Sequence, residues 1–179
     1  MRSFRSSIVA VLVAGALALV AAPAAACCGA GASDPNDVAG KLDLAHVQWS
    51  KSAGSGPLSI TVRTYGTWTK SVLHGNANRL VVYLDTDRNG TIDYHARVKE
   101  SGGKLYAVIA GSGSSFEPLP AHKPNGRTVR FTIPGNSPPN PNGTGPQIRA
   151  YSKFTQSVQC DTASGHPPCI DRAPNTGWI

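Results

Sequence analysis

The sequence predicts an all-β fold, an antiparallel β-sandwich of jelly-roll-like type, behind a segment removed on export. Three observations lead there. Short runs alternate apolar and polar residues with the period of a strand. Clusters of Gly, Pro, Asn and Ser separate those runs, and no segment sustains the apolar spacing of an amphipathic helix. Many short strands joined by turns pack as a sandwich or barrel.

The N-terminus reads as a secretory signal peptide, residues 1–26. Arg2 and Arg5 precede an apolar run over residues 8–20, and small residues follow up to Ala26. The apolar run is too short for a membrane anchor. Ala24-Ala25-Ala26 fits a small-x-small cleavage site, but so does Ala30-Gly31-Ala32, which puts cleavage as late as residue 32. A third reading acylates Cys27 after cleavage, although Ala24 stands where a lipoprotein signal usually carries Leu. Residues 27–36 are small and polar and read as a flexible lead. Residues 37–179 then form one β-sandwich domain with a disulfide-bearing tail, and about 140 residues suffice for a single core.

Residues 42–50 place Leu42, Leu44, Val47 and Trp49 in an alternation that slips by one, as a strand with a bulge does. Leu58, Ile60 and Val62 face one way along the next strand. Trp49, Tyr65 and Trp68 suggest an aromatic sugar platform, with burial in the core as the competing and favoured reading. Residues 71–78 read as a loop or one helical turn, and residues 79–84 as a central strand. Ile92, Tyr94, Ala96 and Val98 are expected to point inward along the strand after it. Residues 104–110, 127–133 and 147–155 are further strands. Residues 116–126 and the proline-rich 134–146 are connections.

One stretch carries chemistry: Asp85-Thr86-Asp87-Arg88-Asn89-Gly90-Thr91-Ile92-Asp93. Oxygen-bearing side chains at Asp85, Asp87 and Asn89, Gly90 at the sixth place, the Thr91 carbonyl at the seventh and Asp93 at the ninth match a calcium loop. The twelfth place, Glu in an EF-hand, is Ala96, so the loop is EF-hand-like on a β scaffold. The competing reading is an acidic Asn89-Gly90 hairpin turn. A two-residue hairpin pairs Asp85 with Tyr94 and sets acidic residues on the apolar side. A longer loop, shifted by one residue, removes that conflict and favours an ion site. Asp37 and Asp43 are candidate extra ligands with no fixed position.

Four cysteines fall as Cys27-Cys28 and as Cys160 with Cys169 in a Gly/Pro-rich tail. In an exported chain the latter pair reads as a disulfide. The alternative, zinc on Cys160, Cys169 and His166, has unusual spacing. The formal charge is +7, including the two signal arginines, and the basic residues are scattered. That argues against a nucleic-acid partner.

The order Asp37-Val38-Ala39-Gly40, Leu42-Asp43-Leu44, Ile60-Thr61-Val62-Arg63-Thr64, Trp68 and Leu84-Asp85-Thr86-Asp87 with Asn89-Gly90 and Asp93-Tyr94 resembles small exported bacterial β-sandwich proteins. It is also distantly similar to the family 9 carbohydrate-binding modules and DOMON-like jelly rolls. That resemblance implies sugar or redox-cofactor binding and structural calcium.

The resulting expectation is a secreted, non-catalytic binding or cell-surface module with structural calcium. Its partner is an extracellular polysaccharide or another secreted or surface protein, and it meets a membrane only if Cys27 is lipidated. Two alternatives stand beside it. One is a secreted hydrolase, for which Asp93 and His95 are the nearest acid/base pair and no hydrolase motif exists. The other is a metal-free structural or inhibitory protein that uses its rigid loops as a recognition surface.

Overall fold

The computed structural model describes residues 26–179 apart from Ser112, Pro141, Asn142, Thr144, Ser157, Val158 and residues 161–163. The signal-peptide reading falls outside these residues, as does the side chain of Cys27.

The strands are β1 (Ala26–Ser33), β2 (Leu44–Ser52), β3 (Leu58–Thr64), β4 (Arg79–Asp85), β5 (Tyr94–Ser101), β6 (Lys104–Gly111), β7 (Ser114–Ser115), β8 (Leu119–His122), β9 (Thr128–Ile133), β10 (Gln147–Phe154) and β11 (Cys169–Ala173). A single 3-10 turn, Lys70–Leu73, lies between β3 and β4. Among the described residues no helix is long and apolar enough to cross a membrane.

The expectation of an antiparallel all-β fold holds. The strand order is β1-β2-β3-β9-β8-β6-β5-β4-β10-β11, with β7 beside β6. Pairing is continuous along this path, so the strands make one sheet of eleven strands and not two hydrogen-bonded sheets. The sheet curls until β10 and β11 meet β2, giving a nearly closed, barrel-like shape. Closure of this kind protects edges that an open sheet leaves exposed.

Alternation places the core inside the curl. Leu58, Ile60 and Val62 of β3, Val129, Phe131 and Ile133 of β9, and Ile148, Ala150 and Phe154 of β10 are all buried. Cross-strand pairs carry the packing from strand to strand. Trp49 opposes Ile60, which opposes Phe131. Ala150 opposes Val82, which opposes Ala96, which opposes Ile109. Large and small side chains thus alternate around the wall, which lets the layers interdigitate. The expected bulge in β2 is present, as a register shift between Leu44 and His46. β4 is central, between β5 and β10, and buries Val81 as well as its inward face.

Besides the two-residue β7, three strands lie where the sequence suggests lead, connection or tail. The segment read as a flexible lead is β1, which pairs with β2 from Ala26↔Ser52 to Ser33↔His46. Its residues lack β-branched and aromatic side chains, and smallness is what suits them to the site. A Cβ on Gly29 would lie 2.8 Å from the Trp49 carbonyl oxygen. β8 pairs with β6 and β9 despite Pro120, and β11 pairs with β10. The expected Cys160–Cys169 disulfide is formed, with Cα atoms 5.1 Å apart, at the start of β11.

Gly111 ends β6 opposite Tyr94, with φ 151°. A Cβ there would lie 2.1 Å from the Asp93 carbonyl oxygen. Gly111→Ala is therefore expected to destabilise the fold by on the order of 3 kcal/mol, read by urea denaturation. Parent-like stability in the variant would refute this close approach.

Candidate metal centre

The acidic loop joins β4 to β5. Leu84 pairs with Tyr94, and the Asp93 N–H donates to the Leu84 carbonyl at 3.0 Å. A two-residue hairpin would pair Asp85 with Tyr94, so the chain makes the longer, one-residue-shifted loop that the alternation requires. One expectation fails: Ile92 is 53% exposed instead of inward. The sheet pattern resumes only at Tyr94, so Ile92 lies in irregular backbone and takes no part in the alternation of β5.

Inside the loop, side-chain oxygens collect backbone N–H groups. Asp85 is fully buried, and its two oxygens accept from Asn89 N–H at 3.1 Å and Gly90 N–H at 2.7 Å. Asp87 accepts from Asn89 N–H at 3.2 Å and from the Asn89 side-chain amide at 2.9 Å. Asn89 Oδ1 accepts from Thr91 N–H at 2.8 Å and from the Thr91 hydroxyl. Asp93 Oδ2 accepts from Thr86 N–H at 2.7 Å and Thr86 Oγ1 at 2.6 Å. Such local bonds are how Asp and Asn stabilise irregular backbone. The Thr86 hydroxyl, with backbone N–H groups behind it, holds the Asp93 carboxyl below the usual range and keeps it charged.

Of the five sequence-predicted ligands, Asp85, Asp87 and Asp93 each bring one oxygen within 4.8 Å of the others. Asn89 and Thr91 lie in the same loop, exposed, with the Asn89 oxygen turned onto Thr91. A carboxylate oxygen that accepts one N–H keeps a second lone pair. Three hard anionic oxygens, with the Thr91 carbonyl and water, suit calcium. Ala96, at the EF-hand's twelfth place, is fully buried between Val82 and Ile109, where the wall has no room for Glu.

Asp37 and Asp43 do not join this loop. They group with Asp34 and Asp171, one oxygen of each lying within 4.8 Å of the others. Asp34 follows β1, Asp43 precedes β2, and Asp171 sits in β11. Burial, then the Asp171 charge, pushes both Asp34 and Asp43 up to about 7. Burial raises Asp171 as well. The sequence reading missed Asp34 and Asp171. Asp171 does carry a signal, since it occupies an inward position between Cys169 and Ala173 once that stretch is known to be a strand.

The aromatic platform does not form. Trp49 and Trp68 are buried, and the Trp68 indole N–H donates to Thr64 Oγ1 at 3.1 Å. Tyr65 spends its hydroxyl on the Asp34 carbonyl at 2.6 Å. For the hydrolase alternative, His95 pairs across the sheet with Tyr83 and Ala110 while Asp93 is held by Thr86. A groove of about 560 Å³ lies elsewhere, and is lined by His74, Lys99, Glu100 and Tyr106. His74 Nδ1 lies 2.6 Å from Glu100 there. No protein-family model matches the chain, and no curated protein or solved structure matches it.

A pH dependence follows for the metal-free chain. Asp34 and Asp43 have folded values near 7 against an ordinary 3.8, so the native state holds their protons more tightly than the unfolded state does. That contribution is present in full below 3.8 and is lost as pH rises through about 7. In chelator, the melting temperature is expected to fall between pH 5 and pH 8. A melting temperature that is flat or rises over that range would contradict the burial of these acids.

Proposed function

We propose that this chain is a secreted, non-catalytic binding or cell-surface module whose Asp85–Asp93 loop holds a structural calcium ion. The observation that carries the reading is the convergence of the Asp85, Asp87 and Asp93 oxygens on a loop already ordered by its own hydrogen bonds. Preordering reduces the entropy that an ion must overcome on binding. The ion's task is mechanical. It neutralises three clustered carboxylates and fixes the register between β4 and β5. The Arg88 guanidinium, which donates to the Gly145 carbonyl at 3.1 Å, ties the same loop to the segment before β10.

Secretion is supported by the Cys160–Cys169 disulfide, since such bonds persist in oxidising compartments. The partner is an extracellular polysaccharide or another secreted or surface protein. With Trp49 and Trp68 used in the core, polar and charged loop side chains would make that contact. Acylation of Cys27 would hold the same module at a cell surface.

Calcium at a hundredfold excess over its Kd is expected to stabilise the chain by about 2.7 kcal/mol through the loop. Asp87→Ala, at an exposed position, should remove that part of the gain and leave the fold intact. An equal calcium response in parent and variant would overturn the loop site. A glycan array and capture of secreted proteins divide the two partner classes.

A further inference from the structure

The two ends of the sheet path are β1 and β11, and the curl brings β11 against β2. Four backbone N–H groups along this seam have partners. Leu44 N–H donates to Asp171 Oδ2 at 2.6 Å, directly across it. Arg172 N–H donates to Asp171 Oδ1 at 2.7 Å. Asp34 N–H donates to the Ala45 carbonyl at 3.1 Å, and Tyr65 N–H to the Asp43 carbonyl at 2.8 Å.

The carboxylates are another matter. Asp34 and Asp43 are each only 3% exposed. Among the described residues, both side-chain oxygens of Asp34, and Oδ1 of Asp43, have no hydrogen-bond partner. The charges acting on these two acids are those of other aspartates. Carboxylates cannot donate to one another, so a direct bond from Asp34 or Asp43 to Asp171 needs a shared proton. Buried unpartnered carboxylates packed together are strongly unfavourable unless a proton or a cation intervenes.

We propose that Asp34, Asp37, Asp43 and Asp171 form a second calcium site, distinct from the loop, which closes the barrel seam by joining the β1–β2 connection to β11. The donor set consists of hard carboxylate oxygens with no His or Cys, which selects calcium or magnesium over zinc and copper. Calcium fits better, because it accepts many carboxylate oxygens in irregular geometry. Magnesium keeps several waters, which two nearly sealed acids do not admit. An entry path exists. A cleft of about 220 Å³ opens at Asp37 and Asp171 and is also lined by Val38, Ile170, Arg172 and Asn175. On its rim the Asn175 amide donates to Asp37 Oδ2 at 3.2 Å and steadies the one exposed ligand. The site joins residues near the start of the folded chain to β11 near its end, so ion binding is coupled to folding.

Calorimetric titration of the metal-stripped chain with calcium chloride tests this, alongside melts in calcium and in chelator. The parent is expected to bind two calcium ions. Asp34→Asn with Asp43→Asn should lose one of them. It should also melt higher than the parent in chelator, because buried repulsion is relieved. Asp37→Ala changes only the exposed ligand and keeps the fold, and should weaken the same site by about tenfold or more. Unchanged calcium binding in both variants would overturn the proposal and leave the acids sharing protons. The loop is judged separately. Loss of one ion in Asp87→Ala but none in the seam variants keeps the loop site and sinks this one, and the reverse pattern does the opposite.

Discussion

A buried carboxylate needs a partner, and this molecule places its buried carboxylates where the strand path is least regular. Asp85 is fully buried at the end of β4, and Asp34, Asp43 and Asp171 are buried where β11 meets β2. At the first place backbone N–H groups supply the partners, because the loop wraps around Asp85. At the second place the backbone serves Asp171 and, through Val38, one oxygen of Asp43, and leaves Asp34 without such a bond among the described residues. The contrast gives the two clusters different tasks. The loop is ordered by its own hydrogen bonds without an ion, whereas the seam carries an electrostatic cost that only an ion or protons can offset.

The apolar wall explains why these acids must sit at ends and seams. From β3 through β9, β8, β6, β5 and β4 to β10, the inward positions are almost wholly aliphatic or aromatic, and cross-strand pairs interlock them. No charge fits in that stretch without breaking the packing. The buried acids therefore collect at the β4–β5 loop and at the place where the curl fails to close by hydrogen bonds, while the buried cation Lys51 sits in β2 opposite Leu58. The disulfide at Cys160–Cys169 fixes the start of β11, and with it the approach of Asp171 to Leu44.

Much of this was legible in the residues, and the exceptions have physical causes. β3, β5, β9 and β10 follow from alternation because each has one buried face. The β2 bulge was visible as a slip between Leu44 and Val47. The long β4–β5 loop followed from a register conflict that a tight Asn89-Gly90 turn would create. β1 was not legible, because Gly and Ala carry no strand signal. They are there because β2 requires a close neighbour. β8 and β11 were hidden by Pro120 and by a proline-rich tail. Of the two acidic groups, the loop is local and could be read from spacing. The seam joins Asp34 to Asp171 across most of the chain, and only the curl of the sheet brings them together.

The central claim is that these carboxylates are compensated by calcium. A crystal structure grown in calcium tests it most directly. The account predicts an ion at the Asp85 loop and another at the Asp34–Asp171 seam, each ringed by about six to eight oxygens at roughly 2.3–2.6 Å. Neither position holding an ion, with the seam acids paired through shared protons, would contradict it.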